Sequence, residues 1–277
     1  MNIEKSQEEY CEFFTQMGHR VILEESGIWI NIRPFIFQQA AVFRHIQTAP
    51  REMKRIFKNN ALACVWFSDK TETKGGAKRF LYLAHPPYDF SSLEHKTRNQ
   101  TKRGLSGLQI EKVDVLEGFL DEARVVYEDN VKRLKLFSGQ KKIDERWLRW
   151  VRALQTSSSI ECWAARKEKS LAAFSVVLWS PWGVEIMMQR SLQTALSYYP
   201  NNALIYSICR DAFERKAELV SFGLSAYNSK NSGLDHFKVN MGFKSIPLTE
   251  HYEWHPWIKP LANLIKPDVL YRKVFSR

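Results

Sequence analysis

Hydrophobic and polar positions follow two periods along this chain, and the switches between them divide it into elements. Over residues 6–17, Tyr10, Phe13, Phe14 and Met17 recur at helical spacing, which predicts a short amphipathic helix ended by Gly18. Residues 19–23 and 28–32 are short apolar runs on either side of Glu24-Glu25-Ser26-Gly27 and predict two strands joined by a turn, with Pro34 closing the second. Residues 44–58 are basic and expected to be helical in part. Residues 61–67 and 79–84 predict strands, separated by a polar loop over 70–78 that contains Gly75-Gly76.

Ser91-Ser92-Leu93-Glu94 has the form of a capping box, predicting a helix to Arg103 with Gly104 as its stop. Residues 108–113 predict a strand. Leu116, Phe119, Leu120, Ala123, Tyr127, Val131 and Leu134 mark a long amphipathic helix. Asp144 is expected to cap a second helix, with Trp147, Leu148, Val151 and Leu154 on its inner face. Residues 160–166, 171–179 and 184–189 predict three antiparallel strands joined by hairpin turns. A helix over 203–216, with Asn202 as its N-cap, leads to a buried strand at 219–223. After a polar loop over 225–232, Ser232-x-x-Asp235 starts a helix that sets Phe237 and Met241 on one face, with Leu234 three before Phe237. Gly242 ends it, and residues 243–248 predict a last strand. From residue 108 the order is strand, two helices, three strands, helix, strand, helix, strand. That is an α+β sheet with helices packed on it.

Composition narrows the function classes. The chain has 277 residues, enough for one large domain or two small ones. Forty-one Lys and Arg against 30 Asp and Glu leave a net charge of +11, which favours anionic partners such as RNA, nucleotide-linked sugars, CoA phosphates or an acidic membrane face; a solvated basic surface is the plainer reading. The four cysteines, Cys11, Cys64, Cys162 and Cys209, lie far apart in mostly apolar segments and read as reduced core residues. The acidic N-terminus lacks the form of a signal peptide, and the longest apolar runs fall well short of the roughly 20 residues that span a bilayer. A cytoplasmic protein, working if need be at the inner face of the membrane, is the expectation. His251 and His255 are four apart without an evident third ligand, so no metal site is expected. Walker, GxSxG, HExxH and dinucleotide GxGxxG motifs are absent.

The stretch 219–243, LVSFGLSAYNSKNSGLDHFKVNMGF, carries the most specific signal. Phe222-Gly223 ends a strand, Ser225 follows in a loop, and then come Gly233-Leu234, Phe237-Lys238 and Gly242-Phe243. This order resembles the C-terminal part of the acyl-CoA N-acyltransferase (GNAT) superfamily, and above all its branch with the Fem-type aminoacyltransferases of peptidoglycan bridge synthesis. The resemblance reaches back to about Pro86 and covers the last two thirds of the chain. It implies a GNAT-like mixed, mainly antiparallel sheet with helices on both faces, at residues 91–255. A reduced first unit would occupy residues 1–90, and a basic, aromatic tail residues 256–277.

The resemblance also implies chemistry. A strand splayed from its neighbour would leave a gap for the acyl carrier; here that strand is 184–189. Donor-binding residues would be Gln189, Arg190, Asn202, Phe237 and Lys238, with Lys238 against phosphate or terminal ribose. The Gln/Arg-x-x-Gly-x-Gly/Ala loop that holds CoA is missing, since Arg190-Ser191-Leu192-Gln193 lacks both glycines. That favours aminoacyl-tRNA over acyl-CoA as co-substrate without excluding the latter; no tightly bound cofactor is expected. Arg98, Lys102 and Arg103 would hold an anionic acceptor, a small or lipid-linked amine. Amine acylation needs a deprotonated amine and a proton for the leaving group; Tyr227 is the candidate proton donor and Ser225 a hydrogen-bonding group. Each has a plainer reading: helix capping for Asn202, a solvated helix face for Lys238 and for the basic trio, packing for Tyr227. Two other functions stay open. One is a non-catalytic module that holds RNA or a membrane on its basic face. The other is peripheral membrane attachment through Trp254, Trp257, Ile258, Leu261, Leu264 and Ile265. The oligomeric state is not legible.

Overall fold

The computed structural model describes residues 3–25, 27–44, 50–69, 77–136, 139–225 and 232–260. Helix α1 (Ile3–Gln16) precedes strands β1 (Val21–Glu24), β2 (Gly27–Arg33) and β3 (Ile36–Gln39), helix α2 (Pro50–Lys58) and strands β4 (Ala63–Ser68) and β5 (Ala77–Ala84). Then come α3 (His95–Gly107), β6 (Gln109–Val113), α4 (Phe119–Arg133), α5 (Gln140–Thr156), β7 (Ile160–Lys167), β8 (Ser170–Ser180) and β9 (Gly183–Ser191). The chain ends with α6 (Pro200–Glu214), β10 (Val220–Leu224), α7 (Ser232–Asn240) and β11 (Lys244–Trp254).

These elements form two compact units that interleave along the chain, where the sequence suggests a division at residue 90. One takes its described residues from 1–18, 82–223 and 237–244, the other from 19–81, 224–236 and 245–277. Unit boundaries fall within β5, β10, α7 and β11, so neither unit is a single stretch of sequence.

In the second unit β1, β2 and β3 form an antiparallel meander, β3 pairs in parallel with β4, and β4 pairs antiparallel with β11 from Ser68–Thr249 to Ala63–Trp254. Strand β3 has no counterpart in the sequence reading. Pro34 does close β2, but Phe35 takes a left-handed φ of 68° and turns the chain straight back. Trp29, Phe37, Met53, Ile56, Ala61 and Cys64 make this unit's core.

In the first unit β6, β7, β8 and β9 form an antiparallel sheet. Its principal core joins Phe119, Ala123, Val126, Tyr127 and Val131 of α4 and Ile143, Trp147 and Leu154 of α5 to Phe174, Val176 and Met188 of the strands. Asp121 and Glu122 at the start of α4 and Lys132 and Arg133 at its end complement the helix dipole. Among the described residues no helix is long and apolar enough to cross a membrane.

Helix starts depart from the sequence reading. The capping box lies earlier, where Asp89 and Ser92 bracket a single 3-10 turn; Glu94 is the N-cap of α3 and accepts from the amides of Lys96 and Thr97 at 2.9 and 3.1 Å. Gly139 occupies the N-cap of α5, and Asp144 pairs with Arg124 at 2.8 Å. Leu148 is 60% exposed, because Ile143, Trp147 and Leu154 already fill the narrow stripe facing the sheet.

Gly104 does not stop α3, which runs on to Gly107. It is the contact point with α6: a Cβ there would lie 2.8 Å from the Tyr199 carbonyl oxygen and 3.1 Å from the Ala203 Cβ. Gly104→Ala should therefore cost about 1–3 kcal/mol by overpacking, despite alanine's better helix propensity. Urea unfolding at constant m-value checks this.

Candidate functional site

Where β9 meets β10, the two parallel strands share only the pairs Val184–Val220 and Glu185–Ser221. Gly183 makes this apex possible: its φ is +146°, and a Cβ there would sit 2.7 Å from the Leu219 carbonyl oxygen. Past the apex β10 turns its bonding inward, since the Gly223 amide donates to the Ser221 hydroxyl at 3.2 Å. Strand β9 continues to Ser191 without β10 beside it. The splay expected from the family resemblance is thus present.

The open end of β9 is tied to the start of α6. Gln189 Nε2 donates to the Asn201 carbonyl at 3.1 Å, and Asn201 Nδ2 donates to Ser191 Oγ at 3.3 Å. Tyr199, at φ 55°, is the N-cap and Pro200 takes N1, with no side-chain cap. Uncapped first-turn amides and the positive end of the helix dipole suit an anionic group. Asn202 is therefore not the cap the sequence suggested. It lies three residues past the cap and is 7% exposed, and its amide approaches Met241 Sδ at 3.7 Å.

Lys238 is a core residue of the first unit, 3% exposed, and not a solvated helix lysine. Its Nζ lies 4.7 Å from the Tyr82 ring centre and 5.5 Å from that of Phe222, so two aromatic faces stabilise the ammonium. Phe237 meets Phe222 edge-on at 6.2 Å, and Phe243 packs on it at 5.3 Å. The end of α7 is pinned by three contacts. The Tyr88 hydroxyl donates to the Met241 carbonyl at 2.7 Å, the Glu94 amide donates to the Asn240 carbonyl at 3.0 Å, and Gly242, at φ +85°, leaves room for the Ser92 carbonyl. The structure thus brings Phe237, Lys238 and, through Met241, Asn202 together.

Other expected residues fall elsewhere. Successive on β9, Gln189 faces α6 while Arg190 lies over the Tyr127 ring of α4 at 5.8 Å, so the two cannot hold one group between them. Arg98 donates to the Leu93 carbonyl at 3.3 Å and Lys102 lies 5.3 Å from the Phe90 ring centre, both at the turn before α3. Arg103 instead stacks on Tyr199 at 5.3 Å, beside the start of α6. In the second unit Ser225 is fastened to β5: its hydroxyl accepts from the Phe80 amide at 3.1 Å, its amide donates to the Phe80 carbonyl at 2.6 Å, and its carbonyl accepts from Arg79. Arg79 forms a buried ion pair with Glu250 at 3.7 Å. Tyr227 lies outside the described residues, as do the tail positions Leu261, Leu264 and Ile265. His251 stacks on Trp66 with ring centres 4.0 Å apart and places Nε2 2.9 Å from Ser68 Oγ; burial lowers its pKa. Among the described residues no three His, Cys, Asp or Glu side chains group to hold a metal ion.

Glu185, at the apex, escaped the sequence reading. Tyr10 of α1 donates to its Oε1 at 2.6 Å. Enclosure of the carboxyl pushes its pKa up to about 7, with the Tyr10 hydrogen bond pulling the other way. Its only trace in the sequence is one acid within the apolar strand Val184–Met188.

Among solved structures the chain is similar to FemX, with a TM-score of 0.64 and 11% identity over 96% of this chain and 98% of that one. It is similar to the C-terminal domain of a putative lysylphosphatidylglycerol synthetase from Agrobacterium fabrum, with a TM-score of 0.60 and 14% identity over 97% and 96% of the two chains. L-PGS from Bacillus licheniformis gives a TM-score of 0.60 and 12% identity over 99% and 97%. No family profile and no curated protein matches the sequence. The fold is GNAT-like and of the Fem type.

The folded pKa of Glu185 lies above the ordinary value of 4.5, so the stability it contributes is full below 4.5 and is lost as pH rises through about 7. Relative to Glu185→Gln, the native protein should lose up to about 3 kcal/mol between pH 4.5 and 8. Unfolding free energies of both proteins across that range check the sign and the size.

Proposed function

We propose that this protein is an acyltransferase that moves an acyl or aminoacyl group from a thioester or tRNA carrier to an amine, on a cell-envelope or polysaccharide precursor. The observation that carries the reading is the splay of β9 from β10 together with Lys238, a cation buried against Tyr82 and Phe222 in the same unit. A splayed pair exposes strand backbone able to bind an extended carrier. A desolvated ammonium stabilises anionic oxygen far better than an exposed one.

In this reaction the amine nitrogen attacks the carbonyl carbon of the donor. A C–N bond forms, the carbonyl oxygen gains charge, and the C–S or C–O bond to the carrier breaks. The amine gives up a proton and the departing thiolate or ribose oxygen takes one. Lys238 is assigned to the donor, at its phosphate or terminal ribose. The start of α6, with Gln189 bonded to Asn201, takes the carrier's phosphates. Tyr227 is assigned the proton for the leaving group. One of the similar structures carries the name of lysylphosphatidylglycerol, in which an amino acid is joined to a phospholipid, and this supports an aminoacyl donor and a lipid-linked acceptor. Trp257, 89% exposed, is the part of the tail that would meet a membrane surface.

A thermal-shift screen against acetyl-CoA, longer acyl-CoAs, free CoA and aminoacylated tRNA tests the donor. A ligand at 100 times its Kd adds about 2.7 kcal/mol of stability. Stabilisation by charged tRNA alone is the expected result. Lys238→Met should remove it and slow transfer by roughly 100-fold or more. Silence from every donor, with RNA binding that falls steeply with salt, would replace this reading with a non-catalytic RNA-binding module.

A further inference from the structure

On the α4 face of β9 lies a cluster of polar groups, Asn130 buried and Arg133 and Arg190 half-buried, that the reading above leaves unused. Arg190 projects from β9 over the Tyr127 ring, and its Nη1 donates to the Gln189 carbonyl at 2.8 Å. Six residues along α4 from Tyr127, Arg133 makes only a long contact to the Ser191 carbonyl, 3.5 Å from Nη2. Asn130 is 5% exposed and also reaches that carbonyl, 3.5 Å from Nδ2. A carbonyl can only accept, so the Asn130 amide nitrogen must face it and Oδ1 must point away.

Three buried atoms here have no hydrogen-bond partner: Arg133 Nε, Arg190 Nε and Asn130 Oδ1. Among the described residues neither guanidinium is in an ion pair. The nearest carboxylate along the helix, Asp129, already accepts from the Gln193 amide at 2.9 Å. Burial lowers the Arg190 pKa, and only the Tyr127 phenol opposes that effect. Arg146 of α5 adds to the positive field at the Tyr127 hydroxyl. Buried donors and charges left unmatched are costly, and natural proteins keep few of them without a use. The Nε edge with its neighbouring Nη is also the edge by which arginine grips carboxylate or phosphate with two parallel bonds.

We infer that Arg133, Arg190 and Asn130 form a binding site for an oxyanion, carboxylate or phosphate, on a molecule that also offers an N–H or O–H to Asn130 Oδ1. Resting on the transfer reaction proposed above, this molecule is the acceptor: an amine that carries its own anionic group. Arg190 then serves the acceptor on one face of β9 and Gln189 the donor on the other.

The test needs no donor. The full chain is titrated calorimetrically, at constant ionic strength, with sodium phosphate, acetate, glycine and ethylamine, and its Tm is followed in parallel. Saturable binding of phosphate or of the carboxylates is expected, with none of ethylamine. Glycine above acetate identifies an amino-carboxylate, and phosphate above both identifies a phosphorylated acceptor. Arg190→Gln and Arg133→Gln should each weaken binding tenfold or more, while Lys169→Gln, on an exposed turn, leaves it unchanged. Arg190→Gln should also leave the Tm of the free protein unchanged or raise it, since it removes a buried charge without an acid partner. No saturable anion binding, or binding unchanged in both arginine variants, overturns the proposal. So does a lower free-protein Tm in Arg190→Gln with anion affinity intact, which marks a structural arginine. Anion binding without acyl transfer would sink the reaction and leave this site standing. Transfer unaffected by both arginine variants would do the reverse.

Discussion

The early end of pairing between β9 and β10 is the constraint on which the first unit depends. Two residue pairs hold the strands together, and Gly183 lets the Leu219 carbonyl close to a distance no side chain would permit. Beyond that apex a parallel sheet would normally continue its ladder, because backbone amides and carbonyls left unpaired in a protein interior are costly. Part of the deficit is met locally. Ser221 takes the Gly223 amide, and Gln189 fastens the far end of β9 to the first turn of α6. What is left is strand backbone of β9 without β10 beside it, and a helix start without a side-chain cap.

Strand alternation then divides the chemistry. Gln189 and Arg190 are neighbours in sequence and face opposite sides of the sheet, one toward α6 and the other over Tyr127 of α4.

Buried cations are handled differently in the two units. In the second, Arg79 is neutralised by Glu250 in a pair shut off from solvent. In the first, Lys238 lies against Tyr82 and Phe222, and Arg190 over Tyr127. Aromatic faces soften the cost of burying a cation. Glu185 shows the converse: an acid pressed into low dielectric, accepting from a tyrosine hydroxyl, stays protonated toward neutral pH.

The sequence by itself determined the order and type of elements from α3 onward, because their apolar periods are long and their turns carry glycine, proline or paired polar residues. It also singled out the Phe237-Lys238 pair, through the order of short motifs from Phe222 to Phe243, though not the burial of Lys238. Tertiary structure alone decided the rest. Gly104 reads as a helix stop in one dimension and becomes the point where α3 presses on Tyr199. Ser91 and Glu94 have the spacing of a capping box, yet which of several short polar side chains caps a helix depends on the path of the chain into it. Asn202 lost the cap to Tyr199 because Pro200, with φ already fixed, is the better first helical residue. The unpartnered edges of Arg133 and Arg190 leave no mark in sequence. A buried guanidinium without an acid is a statement about what lies nearby in space, and local pattern records only what lies nearby along the chain.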